Sequence, residues 1–289
     1  MKTAINYWTI GGFENAKPIK KAMDEAKEMG YQGIELTFGG GVLDETTPDK
    51  ELVSIRNYAK RIGMAIPSLA TGFYWNSSLS SPVKKERERA IAFSKKYIHA
   101  ASILNARAVL VIPGYVHIGW DNNSQIVPYQ KAWELSRSSI KRLLPVASKE
   151  KVFIAIENVW NKFLLSPREM KEFIDSFKSK WVGSYFDPAN VALTGFPEHW
   201  IQILGKRIKC VHVKNFKGHD AGGTLLGFGE DILKGDVNWP SVMKEIKKVG
   251  YSGFLTAELI PFCRLPNLVL PDLELARKNS GQIKKLGHL

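Results

Sequence analysis

Four apolar runs in the second half of the chain each end in a residue of metal-binding type. They read Val152-Phe153-Ile154-Ala155-Ile156-Glu157, Val182-Gly183-Ser184-Tyr185-Phe186-Asp187, Ile208-Lys209-Cys210-Val211-His212 and Gly253-Phe254-Leu255-Thr256-Ala257-Glu258. A carboxylate closing a hydrophobic strand is costly to bury unless it is paired or ligated. Three carboxylates and an imidazole together suit a hard or borderline divalent ion, Mn²⁺, Co²⁺ or Mg²⁺. Taken singly, each residue has an ordinary explanation. Glu157 could pair with Lys162, Asp187-Pro188 could open a turn, His212 could be a core histidine, and Glu258 could pair with Arg264. Four such residues on four successive runs favour one shared metal site.

The elements that would carry these residues alternate along the whole length. Candidate strands lie at Thr3–Trp8, Gln32–Phe38, Met64–Ala70, Arg107–Ile112, Val152–Glu157, Val182–Asp187, Arg207–Val213 and Gly253–Leu259, with a helical stretch after each. That count, in 289 residues, is that of an α/β chain folded as a (β/α)₈ barrel. No Pro/Gly/Ser-rich linker interrupts it, so one domain over residues 1–289 is expected. Ser166-Pro167-Arg168-Glu169 is a capping box with Pro at the first helical position. Ser81-Pro82 and Thr47-Pro48 mark helix starts more weakly. Ala90, Phe93, Tyr97, Ala101 and Leu104 recur at helical spacing. Gly30, Gly63 and Gly250 fall where helices should stop, and the tail after Pro266 should form a last helix packed on the barrel. A doubly wound open sheet would bring a glycine-rich phosphate turn, and neither Gly11-Gly12 nor Gly39-Gly40-Gly41 has the G-x-G-x-x-G pattern.

In a barrel all strand C-termini open on one face, where the active site lies. Side chains alternate along a strand, so Ala155 and Glu157 share a face, as do Tyr185 and Asp187, Cys210 and His212, and Thr256 and Glu258. The four ligand-type residues should therefore converge above the barrel axis.

The formal net charge is +13, which nucleic acid or an anionic substrate could explain. Stretches such as Lys84-Lys85-Glu86-Arg87-Glu88-Arg89 mix both signs, and a solvated helical surface is the simpler source. No apolar stretch approaches the ~20 residues of a membrane span. The first residues, Met1-Lys2-Thr3-Ala4-Ile5-Asn6, turn polar too soon for a signal peptide. Two cysteines, Cys210 and Cys263, make no disulfide framework, so a reduced cytoplasmic setting is expected.

Further motifs carry a resemblance. Ile156-Glu157-Asn158, Phe186-Asp187-Pro188-Ala189-Asn190, Val211-His212-Val213-Lys214-Asn215, Gly227-Phe228-Gly229-Glu230 and Thr256-Ala257-Glu258-Leu259 occur in order, with Ala70-Thr71-Gly72 and Pro113-Gly114 at loop positions. Over nearly its full length the chain resembles the sugar phosphate isomerase/epimerase family, the xylose-isomerase-like barrels. Within it the resemblance is to ketose 3-epimerases, those of tagatose/psicose and of pentulose 5-phosphates. The resemblance implies that Glu157, Asp187, His212 and Glu258 bind one divalent ion that holds a ketose by its carbonyl and a neighbouring hydroxyl. It further implies that Glu157 and Glu258 act from opposite sides as acid and base through a metal-stabilised cis-enediolate, epimerising C3.

Two positions depart from the epimerases of unphosphorylated sugars. Asn190 stands where they have His, three residues after Asp187, and Gly218 where they have Arg, six residues after the ligand histidine. Asn190 and the His212-Val213-Lys214-Asn215 run are closer to the phosphopentulose enzymes. Lys214 and Lys217 are then candidates to orient oxygens or a phosphate, alongside Asn190, Glu35 and Trp120 as substrate-binding residues. Trp8, Trp75, Trp120 and Trp160 lie near strand ends, where rings can stack on sugar faces or pack loops. Gly227-Phe228-Gly229 lies in a loop of the kind that serves as a lid.

An aldose–ketose isomerase or an inosose dehydratase would use the same groups. An apurinic endonuclease would need further metal ligands from strands two to four, where the chain offers Glu35, Thr71 and Pro113-Gly114, with only His117 nearby. A non-catalytic sugar-binding protein would not need two carboxylates poised at a metal. The expected partner is a small sugar or sugar phosphate; a membrane is excluded, nucleic acid is disfavoured, and a homo-oligomer stays open.

Overall fold

The computed structural model describes residues 1–14, 16–121, 123–219 and 222–289. Eight strands form a closed parallel barrel in chain order: β1 (Lys2–Asn6), β2 (Gly33–Thr37), β3 (Ser68–Ala70), β4 (Ala108–Val111), β5 (Phe153–Glu157), β6 (Val182–Phe186), β7 (Ile208–Val213) and β8 (Phe254–Ala257). β8 closes on β1 with Ala4 opposite Thr256. Apart from their first residues and Lys209, the strands are buried and mainly apolar, as a parallel sheet covered by helices requires.

The expected strand positions hold, with ends trimmed for local reasons. β1 stops at Asn6 because that side chain caps the helix Tyr7–Gly11, accepting from the Trp8 N–H at 2.8 Å. β3 begins only at Ser68, since Pro67 has no N–H for a ladder, although Ala65 still bridges Gly33. Asp187 and Glu258 each lie one residue beyond their strand, on the rim. The two weaker Ser/Thr-Pro signals are shifted. The helices start at Asp49 and Lys84, so Pro48 and Val83 occupy the capping positions.

The outer helices dock through the stripes the spacing indicated. Lys84–Ile103 buries Ala90, Phe93, Tyr97 and Ala101, and the Tyr97 hydroxyl donates to the Leu69 carbonyl of β3 at 2.6 Å. Gly63 ends its helix in the left-handed conformation, φ 72°, where a side chain would be strained. The last helix starts at Leu273, later than Pro266, capped by Asp272. Its Gly287 carbonyl accepts from the N-terminal amine of Met1 at 2.7 Å. No described helix is long and apolar enough to cross a membrane.

The capping box is complete: Ser166 Oγ accepts from the Glu169 N–H at 3.2 Å and Glu169 Oε2 from the Ser166 N–H at 3.0 Å. Ser166→Ala is therefore expected to destabilise the protein by ~1 kcal/mol. Urea denaturation should show a lower midpoint with an unchanged slope.

Candidate metal centre

At the C-terminal mouth, one ligand atom from each of Glu157, Asp187, His212 and Glu258 lies within 4.8 Å of the others, and all four residues are buried. The register explains the convergence. Glu157 stands opposite Tyr185 on β6, His212 stands opposite Thr256 on β8, and Asp187 and Glu258 follow their strands directly.

His212 is fully buried and held between two carboxylates. Its Nδ1 lies 3.0 Å from Glu157 Oε1 and 3.7 Å from Glu258 Oε2, facing the cluster. Its Nε2 lies 2.8 Å from Glu35 Oε1, facing away. Burial alone would depress the imidazolium. Glu258, Glu35 and Glu157 outweigh it and hold His212 well above the usual histidine range. An Nε2–H directed at Glu35 leaves Nδ1 as the ligating nitrogen, the arrangement by which metal-binding histidines are oriented.

Asp187 performs two tasks at once. Its Oδ1 caps the helix Pro188–Val191, accepting from the N–H groups of Ala189 at 2.8 Å and Asn190 at 3.1 Å. Its Oδ2 is buried and has no hydrogen bond of good direction, although Lys214 Nζ is 2.8 Å away. Asn158 fastens the rim here: its Oδ1 accepts from the Asp187 N–H at 3.0 Å and its Nδ2 donates to the Asp187 carbonyl at 2.8 Å.

Lys214 also donates to Glu258 Oε2, so its ammonium bridges two of the cluster's carboxylates. Glu258 is held below the usual range. Burial, the largest influence, opposes this, but Lys214 and His212 prevail. Glu157 lacks that bridge, and burial pushes its carboxyl up to about 7. Four buried carboxylates (Glu35, Glu157, Asp187, Glu258) thus face one ammonium and one imidazole. The deficit of positive charge, the underused Asp187 oxygen and the oxygen-rich donor set all fit a divalent cation.

Above the cluster opens a cavity of about 800 Å³. Glu157, Lys214 and Glu258 lie at its floor, Asn190 contributes to its lining, and Trp8, Trp75, Trp120, Trp160 and Phe228 to its walls. Trp120 is 46% exposed and meets Trp75 edge-on at 5.0 Å.

Several expectations are corrected. Glu35 does not reach the cavity. It is fully buried, with Oε1 accepting from Asn6 Nδ2 at 2.7 Å and from His212, and Oε2 from Ser68 Oγ at 2.7 Å and the Tyr185 hydroxyl. It positions His212 and has no lone pair left for a sugar. Lys217 is exposed beyond the strand and does not line the cavity. The pairings proposed with Lys162 and Arg264 do not form: Glu157 meets His212, and Arg264 meets Glu230 and Asp272, both at 2.6 Å. The Gly227–Gly229 loop, expected as a lid, is not among these: there Phe228 bridges Phe216, and the Gly227 carbonyl accepts from the Lys217 N–H at 2.8 Å. Asn6, Ser68, Asn158 and Tyr185 were not foreseen as supports of the site. Tyr185, on the same strand face as Asp187, and Asn158, beside Glu157 in a motif, left traces; Ser68 left none.

The Glu35 bond generates a test by calorimetry with Mn²⁺. Glu35→Gln is expected to weaken binding by ~10–100-fold, and Asp187→Asn to remove it. Unchanged affinity in Glu35→Gln would mean that His212 is not oriented from behind.

Residues 23–285 match the family described as "Xylose isomerase-like TIM barrel". An uncharacterized protein of Methanocaldococcus jannaschii is 25% identical over 191 residues, a match spanning 63% of this chain and 61% of that protein. Among solved structures, D-psicose 3-epimerase of Clostridium cellulolyticum H10 with D-tagatose superposes with TM-score 0.80 at 17% identity, covering 100% of this chain and 99% of that one. L-ribulose 3-epimerase gives 0.78 at 16%, covering 99% and 94%. The 3-keto-D-glucoside 4-epimerase of E. coli gives 0.75 at 12%, covering all of both chains. At these identities the superpositions show a shared barrel. With the family match over most of its length, the chain belongs to the xylose isomerase-like TIM barrel family.

Proposed function

We propose that this protein is a divalent-metal-dependent epimerase acting on a ketose, at the carbon beside its carbonyl, C3 of a 2-ketose. The carrying observation is the Glu157, Asp187, His212 and Glu258 cluster at the floor of an aromatic-walled cavity. The same cluster would serve a ketose phosphate. However, among the described residues that line the cavity Lys214 is the only basic one, and it is engaged by two carboxylates, which supports an unphosphorylated sugar.

Glu157, Asp187, Glu258 and His212 Nδ1 would hold the ion. When bound, it would supply positive charge to the ketone and neighbouring hydroxyl oxygens, acidifying the adjacent C–H. Glu157 from β5 and Glu258 from the end of β8 come from well-separated strands of the closed sheet. One carboxylate removes the C3 proton to give the enediolate, and the other returns a proton to the opposite face. Lys214 steadies Glu258. The Trp75–Trp120 pair and Trp8 present flat apolar surface to the sugar and exclude water.

Glu157→Gln and Glu258→Gln are each expected to lower kcat by ~10²–10⁴ with the melting temperature largely kept. In deuterated water the wild type should place deuterium on the carbon beside the ketone of fructose, tagatose or ribulose. Product without solvent deuterium at that carbon would replace proton transfer with another chemistry.

A further inference from the structure

The other end of the barrel, where the strands begin, holds a second cavity of about 1150 Å³. Six basic residues line it: Lys2 of β1, Arg56 and Lys60 of the helix Asp49–Ile62, Arg107 just before β4, Lys209 of β7, and Lys247 of the helix Trp239–Lys248. Among the described residues no Asp or Glu lines it. Among the described residues none of the six forms an ion pair with a carboxylate. Elsewhere the surface behaves otherwise: Arg142 meets Glu88, Arg207 meets Asp175 and Arg264 meets Glu230, each at 2.6 Å.

Among the described residues, the partners of Lys2, Arg56, Arg107 and Lys209 are neutral. Arg56 donates to the Ile103 carbonyl at 3.2 Å, and Lys209 Nζ to the Lys206 carbonyl at 2.9 Å. Arg107 and Lys209 both lie over the Phe153 ring, at 5.4 and 5.0 Å from its centre, which keeps the two cations close together. Burial, and then the charges of Arg107 and Arg207, hold the half-buried Lys209 ammonium below its usual range. Cations gathered in a concavity repel one another and focus a positive potential that an anion relieves.

The geometry points to a binding site at this end of the barrel for a small anion carrying two or more phosphate groups, such as a nucleotide or other polyphosphate. The cationic groups ring a pocket and do not run as an extended stripe of the kind nucleic acid follows. The chain's positive charge thus has a place where it is not offset by neighbouring acids. The site is independent of the metal centre and of the function proposed for it.

The test is calorimetric titration of the full chain with tripolyphosphate and with inorganic phosphate, at low salt. Tripolyphosphate is expected to bind one to one, at least about tenfold more tightly than inorganic phosphate, weakening as salt rises. Arg107→Gln and Lys60→Gln should each weaken it by about tenfold. Lys60 is exposed on a helix surface, so its variant keeps the test open if Arg107→Gln misfolds. Asp187→Asn, at the opposite end, should bind tripolyphosphate as the wild type does. The inference is overturned by absence of saturable binding, by unchanged affinity in Lys60→Gln, or by loss of binding in Asp187→Asn, which would place the anion at the metal centre. Tighter binding of a 20-base-pair duplex through Arg107 and Lys60 would overturn it too, making this a nucleic-acid face.

Discussion

Carboxylates crowded together in a buried site are the constraint on which the rest of the site depends. Glu35, Glu157, Asp187 and Glu258 are all buried within one linked network, against the charges of Lys214 and His212 alone. Removing Lys214 or His212 from such a network would leave uncompensated buried charge, a loss of ~3–5 kcal/mol. A structural role alone would be served as well by apolar side chains of similar volume. Retaining so much like charge at the open end of the barrel makes sense where a cation completes the set. Lys214, bridging Asp187 and Glu258, then stands where positive charge is needed.

The barrel's periodicities supply the precision. Closure in chain order brings β5, β6, β7 and β8 side by side, so four residues distant in sequence meet at one point. Behind them, Glu35 of β2 reaches across the interior to His212, held by Ser68 of β3 and Tyr185 of β6. Ligand-type residues on strands, with a second layer fixing their direction, form the rigid arrangement that a metal site requires.

Much of this was readable in the sequence because strand alternation and strand count are local signals. Each run was apolar up to its last residue, and that contrast marked Glu157, Asp187, His212 and Glu258. Glu35 shows where such reading ends. It sits in the middle of β2, and alternation gives its inward face without distinguishing a side chain in the cavity from one enclosed below it. Only the packing of Tyr185 and Ser68 around it decides. Lys214 and Lys217 differ for a local reason: Lys214 lies two residues after His212 and keeps its direction, while Lys217 falls past the turn. For Asp187, capping and membership of the cluster were set as alternatives, yet its two oxygens do both. The cationic cavity left no local trace, because its six residues come from four elements and the segment before β4, and meet only when the barrel closes.

The central claim is that the four residues surround a single ion. Anomalous diffraction from crystals soaked in Mn²⁺, recorded at the manganese edge, tests it directly. The account predicts one strong peak within ~2–2.5 Å of oxygens from Glu157, Asp187 and Glu258 and of His212 Nδ1, with His212 Nε2 still on Glu35. No peak at the cluster, with Lys214 still seated between Asp187 and Glu258, would contradict it.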